Sequence, residues 1–358
     1  MDNSSFYLPA EWEPQDDIML TWPAPHTDWA PYLNSITNTY VALVKAILTH
    51  ERVIIATEDP LHTATILEKG GCAMERINLY SCLINDTWSR DHGPLTLVNP
   101  ADGSMRMLDF RFNGWGEKFD WQRDNAITQK LFSLHAFNAE RESHDDFILE
   151  GGSIESDGKG TIFTTAQCLL APHRNQPLSQ QAIEEKLCKL LYAQRVIWIH
   201  HGNLIGDDTD GHIDTIVRAC PDNTLIYVSC DDKTDEQYAD FQALDAELQA
   251  LQTMEGTHYR LLKLPMPDRM EFDGERLPAT YANFLIINGA VIVPIYGQKE
   301  KDEEALTTIA QAFPEREIIP IDASVIVRQH GSIHCLTMQI PHSDRTGANP
   351  CTNTNCTQ

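Results

Sequence analysis

Arg195-Val196-Ile197-Trp198-Ile199 closes a segment that begins with helix-spaced apolar residues at about 181–194, and the same order recurs along the chain. Helical spacing at about 35–50 precedes Arg52-Val53-Ile54-Ile55. A helix at about 235–254, with Phe241, Leu244, Leu248 and Leu251 at steps of three and four, precedes Arg260-Leu261-Leu262-Lys263-Leu264. A fourth at about 302–313 precedes Arg316-Glu317-Ile318-Ile319-Pro320-Ile321, and a weaker fifth near 125–138 runs into Phe147-Ile148-Leu149. Further strands belong to each unit. Leu225-Ile226-Tyr227-Val228 is one, and Phe284 to Val293 reads as two apolar strands joined at Asn288-Gly289, a hairpin signal. A strand–strand–helix–strand unit returning every 50–70 residues or so predicts similar blades set radially about an axis. An ordinary open α/β sheet with alternating strands and helices is the competing reading.

Composition narrows the function classes. The chain has 358 residues and a formal net charge of −25, which argues against nucleic acid as a partner because phosphate binding needs a basic surface. No apolar run reaches membrane-spanning length, and Met1 to Glu13 lacks the pattern of a secretory signal, so a cytoplasmic location is expected. Nine cysteines show no C-x-x-C pair and read mostly as reduced, buried thiols. No linker interrupts the repeats, so residues 1–342 are expected to form one domain. Residues 343–358, which include Cys351 and Cys356, read as a polar, disordered tail.

Four polar clusters each follow a strand: Asn85 to Pro94, Leu149-Glu150-Gly151-Gly152, Gly206 to Asp214, and His330 to Thr337. A radial fold with these spacings brings all four to one end of its axis. The Gly206–Asp214 segment fails as a calcium loop, since its first position is Gly206 and its twelfth is Val217. His212, Asp214, His334 and Cys335 lack the spacing of a zinc site. What remains is a cysteine, a histidine and several carboxylates, a set that fits nucleophilic cysteine chemistry. Carboxylates discourage a thiolate, so they need a reason to be there, and a guanidinium substrate that they grip bidentately supplies one. Singly, each residue has a bland reading. Asp91 beside Arg90 reads also as a surface ion pair, Glu150 as a loop closure, Asp210 as a turn cap and His212 as a satisfied core histidine.

The ordered set of motifs resembles the agmatine deiminases and the bacterial-type peptidylarginine deiminases. It comprises Pro9-Ala10-Glu11-Trp12-Glu13-Pro14-Gln15, Thr21-Trp22-Pro23, Asn85-Asp86-x-Trp88-x-Arg90-Asp91-x-Gly93-Pro94 and Phe112-Asn113-x-Trp115-Gly116. Glu150-Gly151-Gly152, Thr209 to Asp214, Asn283-Phe284-Leu285 with Asn288-Gly289, and Ile333 to Thr337 complete it. The resemblance covers nearly all of residues 6–341. It implies a five-bladed α/β propeller of the guanidino-modifying enzyme type around a central channel, with no metal or organic cofactor. It also implies Cys335 as nucleophile, His212 as general acid and base, Glu150 as its orienting carboxylate, and Asp91 and Asp214 as the guanidinium pair.

Two departures stand out. The approach to the cysteine is Arg328-Gln329-His330-Gly331-Ser332 where the family is usually Gly-rich, and Asp208 stands where many agmatine deiminases carry glutamate. Asp208 is expected near a substrate amine, with Trp88 and Trp115 walling an apolar linker. The expected reaction is hydrolysis of agmatine to N-carbamoylputrescine and ammonia, a step in putrescine and polyamine biosynthesis. Free arginine or peptidylarginine is the enzymatic alternative, and a guanidino-compound binding protein the non-enzymatic one. The expected partner is a small cationic molecule; neither nucleic acid nor membrane is expected, and a homo-oligomer is left open.

Overall fold

The arginines that introduce the β-branched runs have a structural task. Arg52 donates through Nε and Nη2 to both oxygens of Asp17 (2.9 and 2.8 Å), the residue facing it across a parallel ladder. Arg195 likewise donates to Thr161 Oγ1 (3.1 Å), its own register partner. Each arginine pins the start of its strand to the parallel strand beside it. A computed structural model describes residues 6–342. The expected tail at 343–358, with Cys351 and Cys356, lies outside the described residues.

Strands pair into five main sheets. β1 (Gln15–Thr21), β2 (Arg52–Thr57) and β3 (Ile77–Ser81) share one with the last strand of the chain. β4 (Leu95–Val98), β5 (Met105–Arg111) and β6 (Glu140–Ile148) form the next, then β7 (Ile154–Ser156), β8 (Thr161–Thr165) and β9 (Arg195–Ile199). β10 (Val217–Cys220), β11 (Thr224–Ser229) and β12 (Arg260–Pro265) follow. A two-stranded ribbon of β13 (Glu271–Phe272) and β14 (Glu275–Arg276) precedes the sheet of β15 (Leu285–Ile287), β16 (Ala290–Ile295) and β17 (Glu317–Asp322). β18 (Thr337–Pro341) then returns to lie antiparallel to β1.

Every main sheet repeats one order: an antiparallel pair, a helix, then a strand parallel to the second. The crossover helices are α1 (Leu33–Leu48), α3 (Ile127–Ser133), α4 (Gln180–Leu190), α5 (Tyr238–Ala250) and α6 (Lys299–Ala312), while α2 (Pro60–Lys69) joins β2 to β3. The repeat anticipated from the sequence is therefore present five times, and one copy is completed by strands from opposite ends of the chain. The predicted hairpin turns at Asn288-Gly289, with Gly289 at φ +73°.

Burial explains why inner strands read as unbroken apolar runs. Ile18, Met19 and Leu20 are fully buried, as are Val291, Ile292 and Val293, so both faces of β1 and β16 are covered. The outer strands β3 and β17 carry no such run of fully buried residues. Phe241, Leu244 and Leu248 bury the predicted face of α5. Among the described residues, no helix is long and apolar enough to cross a membrane.

Candidate active site

The segment that leads into the first strand of each sheet is where the chemistry collects. Asp91 lies in the short turn Ser89–His92 before β4, and Glu150 and Gly152 lie before β7. His212 and Asp214 stand before β10, Asn283 before β15, and Cys335 before β18. One repeated position thus supplies every member of the constellation.

Three of these side chains meet at Gly152. A β-carbon added there would stand 2.6 Å from His212 Nδ1, 2.9 Å from Asp91 Oδ1 and 3.1 Å from Asp214 Oδ2, so only glycine permits the cluster. Asp91 accepts from the Gly152 N–H at Oδ1 (3.1 Å) and from Trp115 Nε1 at Oδ2 (3.0 Å). Its Oδ1 is also 3.6 Å from His212 Nδ1. Trp115 reaches Asp91 from a strained backbone: its φ is +54°, between Gly114 and Gly116 at +66° and +87°. A non-glycine residue held there marks a site whose surroundings fix it firmly.

Cys335 is held by Asn283, whose Oδ1 accepts from the Cys335 N–H (3.2 Å) and from its thiol (3.3 Å). Asp214 Oδ2 lies 2.7 Å from His334 Nδ1, and the other nitrogen of that ring lies 2.8 Å from Glu11 Oε1. Glu11 also receives Arg90 and Arg218 (2.8 and 2.5 Å), and Arg218 pairs with Glu155. This buried network anchors the two turns that carry Asp214 and Cys335. It also corrects the reading of Arg90 as a surface charge: Arg90 and Asp91 are both buried and do not pair with each other.

Electrostatics divide the groups. Burial pushes Asp91 up to about 6, against the opposing pull of His212. Asp214 is equally buried, yet its hydrogen bond and charge interaction with His334 hold it below the usual carboxylate range. Burial disfavours a charged His212, but Asp91, Cys168 and Glu150 outweigh it and raise the imidazole well above its ordinary value. The Cys335 thiol is pushed well up by burial, then by the Asp214 and Asp91 charges. Glu150 accepts from Arg174 Nε at Oε1 (2.8 Å), leaving Oε2 without a hydrogen-bond partner.

A cavity opens from this cluster toward solvent. Cys335 and Asp91 line its buried end, Trp88, Trp115 and Phe119 its wall, and Asp28, Asp86, Asp207 and Asp208 also line it. Burial, then Asp207, raises Asp208 to about 6, against the His330 and Lys118 charges. All eight candidate residues are thereby located. Cys335, Asp91, Trp88, Trp115 and Asp208 line the cavity, while His212, Glu150 and Asp214 stand fully buried around Gly152 or beside it. Sequence reasoning gave no role to Asn283, Arg174 or Glu11. Asn283 had a usable signal, since it occupies the repeated position before a first strand.

The sequence profile of the Porphyromonas-type peptidyl-arginine deiminases matches residues 7–341. The chain belongs to this family. Among curated members, the agmatine deiminase of Stutzerimonas stutzeri is 33% identical, covering 94% of this chain and 95% of its own. A solved C. jejuni agmatine deiminase, a cysteine-to-serine variant with substrate bound, is 36% identical at a TM-score of 0.87, covering 96% and 98% of the two chains. A Porphyromonas gingivalis protein provisionally assigned as an arginine deiminase is 44% identical at a TM-score of 0.88, covering 94% and 98%. The α/β fold of this family member is thus the fold of agmatine deiminase structures.

Proposed function

We propose that this chain hydrolyses agmatine to N-carbamoylputrescine and ammonia through a covalent intermediate on Cys335. The observation that carries the reading is the lining of the cavity. It has Cys335 and Asp91 at the buried end, an aromatic wall and further carboxylates, and among the described lining residues there is no lysine or arginine. Such a passage favours a cation at both ends and holds no guanidinium or ammonium group to pair with the carboxylate of free arginine. Arg90 is committed to Glu11, and Arg111 lies over the Trp121 ring, 5.2 Å from its centre.

The fivefold strand order and the pairing of β18 with β1 support a five-bladed propeller closed by the chain ends, with residues 6–342 as one catalytic unit. Asp91 and Asp214 then hold the guanidinium with its carbon beside Cys335 Sγ. The bound cation offsets the two carboxylate charges that keep the thiol protonated, so substrate binding itself promotes the thiolate. Attack forms the C–S bond. Protonated His212 gives its proton to one nitrogen, the C–N bond breaks and ammonia leaves an S-alkylthiouronium. His212 next takes a proton from water, hydroxide adds to the carbon, and the C–S bond breaks to release the urea product.

The test is ammonia release from agmatine, free arginine and a blocked arginine peptide, measured side by side. Turnover of agmatine alone is the expected result; turnover of the peptide alone would keep the chemistry and overturn the substrate. Replacing Asp208 with asparagine should raise KM for agmatine about tenfold with kcat less affected, because one charge–charge contact to the distal ammonium is lost. An unchanged KM would remove Asp208 from that role.

The acid side of the pH profile follows from Asp91. It must be ionised to hold the guanidinium, so kcat/KM should fall as pH drops through about 6. Trp115→Phe deletes the indole N–H that favours the charged carboxylate, so the acid limb should move to higher pH. A limb that stays in place would mean that another group sets it.

A further inference from the structure

Cys168 is a fully buried thiol that takes no covalent part in the proposed reaction. It lies in the turn after β8, where its N–H donates to Thr165 Oγ1 (3.2 Å). Its sulfur, a carboxylate oxygen of Glu150 and a ring nitrogen of His212 all lie within 4.8 Å of one another. A further observation points to a ligand among them. Glu150 Oε2 has no hydrogen-bond partner, although Arg174 engages Oε1. Glu150 is fully buried. An unsatisfied carboxylate oxygen in such surroundings is costly, and a cation would satisfy it.

A second trio, Glu11, Glu155 and His334, has similar spacing. There, however, Arg218 donates to both glutamates and Arg90 to Glu11, so guanidinium groups already fill the cationic role. At Glu150 the guanidinium of Arg174 takes only one oxygen, and the other stays available. Thiolate, imidazole and carboxylate are the donors that Zn²⁺ accepts in tetrahedral sites. Bond lengths of about 2.0–2.3 Å require only a modest contraction of the trio, with water in the fourth position.

We propose that Cys168, Glu150 and His212 form a binding site for a thiophilic divalent cation, with Zn²⁺ as the reference ion, and that the bound ion inhibits the enzyme. Binding forms metal–sulfur and metal–nitrogen bonds, displaces the thiol proton of Cys168 and one ring proton of the His212 imidazolium to solvent, and so takes that ring nitrogen out of proton transfer. The inhibitory half rests on the role proposed for His212; the binding half does not.

Two measurements test it. Co²⁺ added to Cys335→Ala protein, which lacks the thiol that lines the cavity, should give a thiolate-to-metal charge-transfer band at one equivalent, displaced by Zn²⁺. The band should vanish when Cys168→Ser is added to that background, and Cys168→Ala should agree, with thermal unfolding checked for both. No band in Cys335→Ala, or a band that survives loss of Cys168, overturns the site. In parallel, with each protein read against its own zinc-free rate, Cys168→Ser should raise the half-inhibiting Zn²⁺ concentration roughly 10–100-fold. Unchanged inhibition places the ion elsewhere and overturns the proposal. Because the band needs no turnover, a protein inactive on agmatine would fail the proposed function without failing the binding test.

Discussion

Replacing Cys335 with alanine should lower kcat for agmatine by on the order of 10⁵-fold while leaving agmatine binding intact. Loss of a nucleophile removes the pathway instead of weakening it, and effects of that size are known for such deletions. Binding should survive because Asp91 and Asp214, which supply the charge, are positioned without the thiol. Asp91 rests on the Gly152 N–H and Trp115, and Asp214 on His334. Calorimetry on the variant reads the binding half, and ammonia release reads the chemical half. Truncation also empties the space beside Asn283 Oδ1, which keeps its hydrogen bond from the Cys335 backbone N–H, so the turn should hold its shape. Turnover within tenfold of wild type would move the nucleophile to another group. Lost binding together with lost turnover would instead mean that the substitution disturbed the carboxylates.

The fold was legible because the repeat is written in residue types. Strands buried on both faces must be continuously apolar, and an arginine at the start of the strand that follows the helix can meet a partner across the ladder, as Arg52 meets Asp17. The candidate site was legible where a candidate side chain sits beside glycine or in a dense polar turn, as with Glu150-Gly151-Gly152 and Thr209 to Asp214. What escaped was supplied by distant segments. Arg174 reaches Glu150 from the loop after β8, and Glu11 reaches His334 from 323 positions away in the chain. A lone arginine or glutamate carries no local sign of such a contact. Asn283 is intermediate: its side chain is unremarkable in sequence, but its place in the repeat matches those of Asp91, Glu150, Asp214 and Cys335.

His212→Ala should cost on the order of 10³–10⁴-fold in kcat, the scale of a positioned acid and base, and should prolong the covalent adduct. Ammonia cannot leave the tetrahedral adduct without a proton, and water at neutral pH is a poor nucleophile toward the thiouronium, so one group serves both steps. Mass spectrometry of the quenched variant should find Cys335 heavier by agmatine less ammonia, for longer than in wild type. Activity near wild type would reassign the proton transfer, and an adduct on any other residue would reassign the nucleophile. The environment of His212 gives a second readout. Asp91, Cys168 and Glu150 raise its pKa well above the ordinary value despite burial, so the imidazolium required for the first step persists at neutral pH and is lost on the alkaline side. Glu150→Gln removes one of those charges and keeps an acceptor for Arg174, so the alkaline limb of kcat should shift to lower pH. A purely structural role for Glu150 predicts lower activity with that limb unmoved.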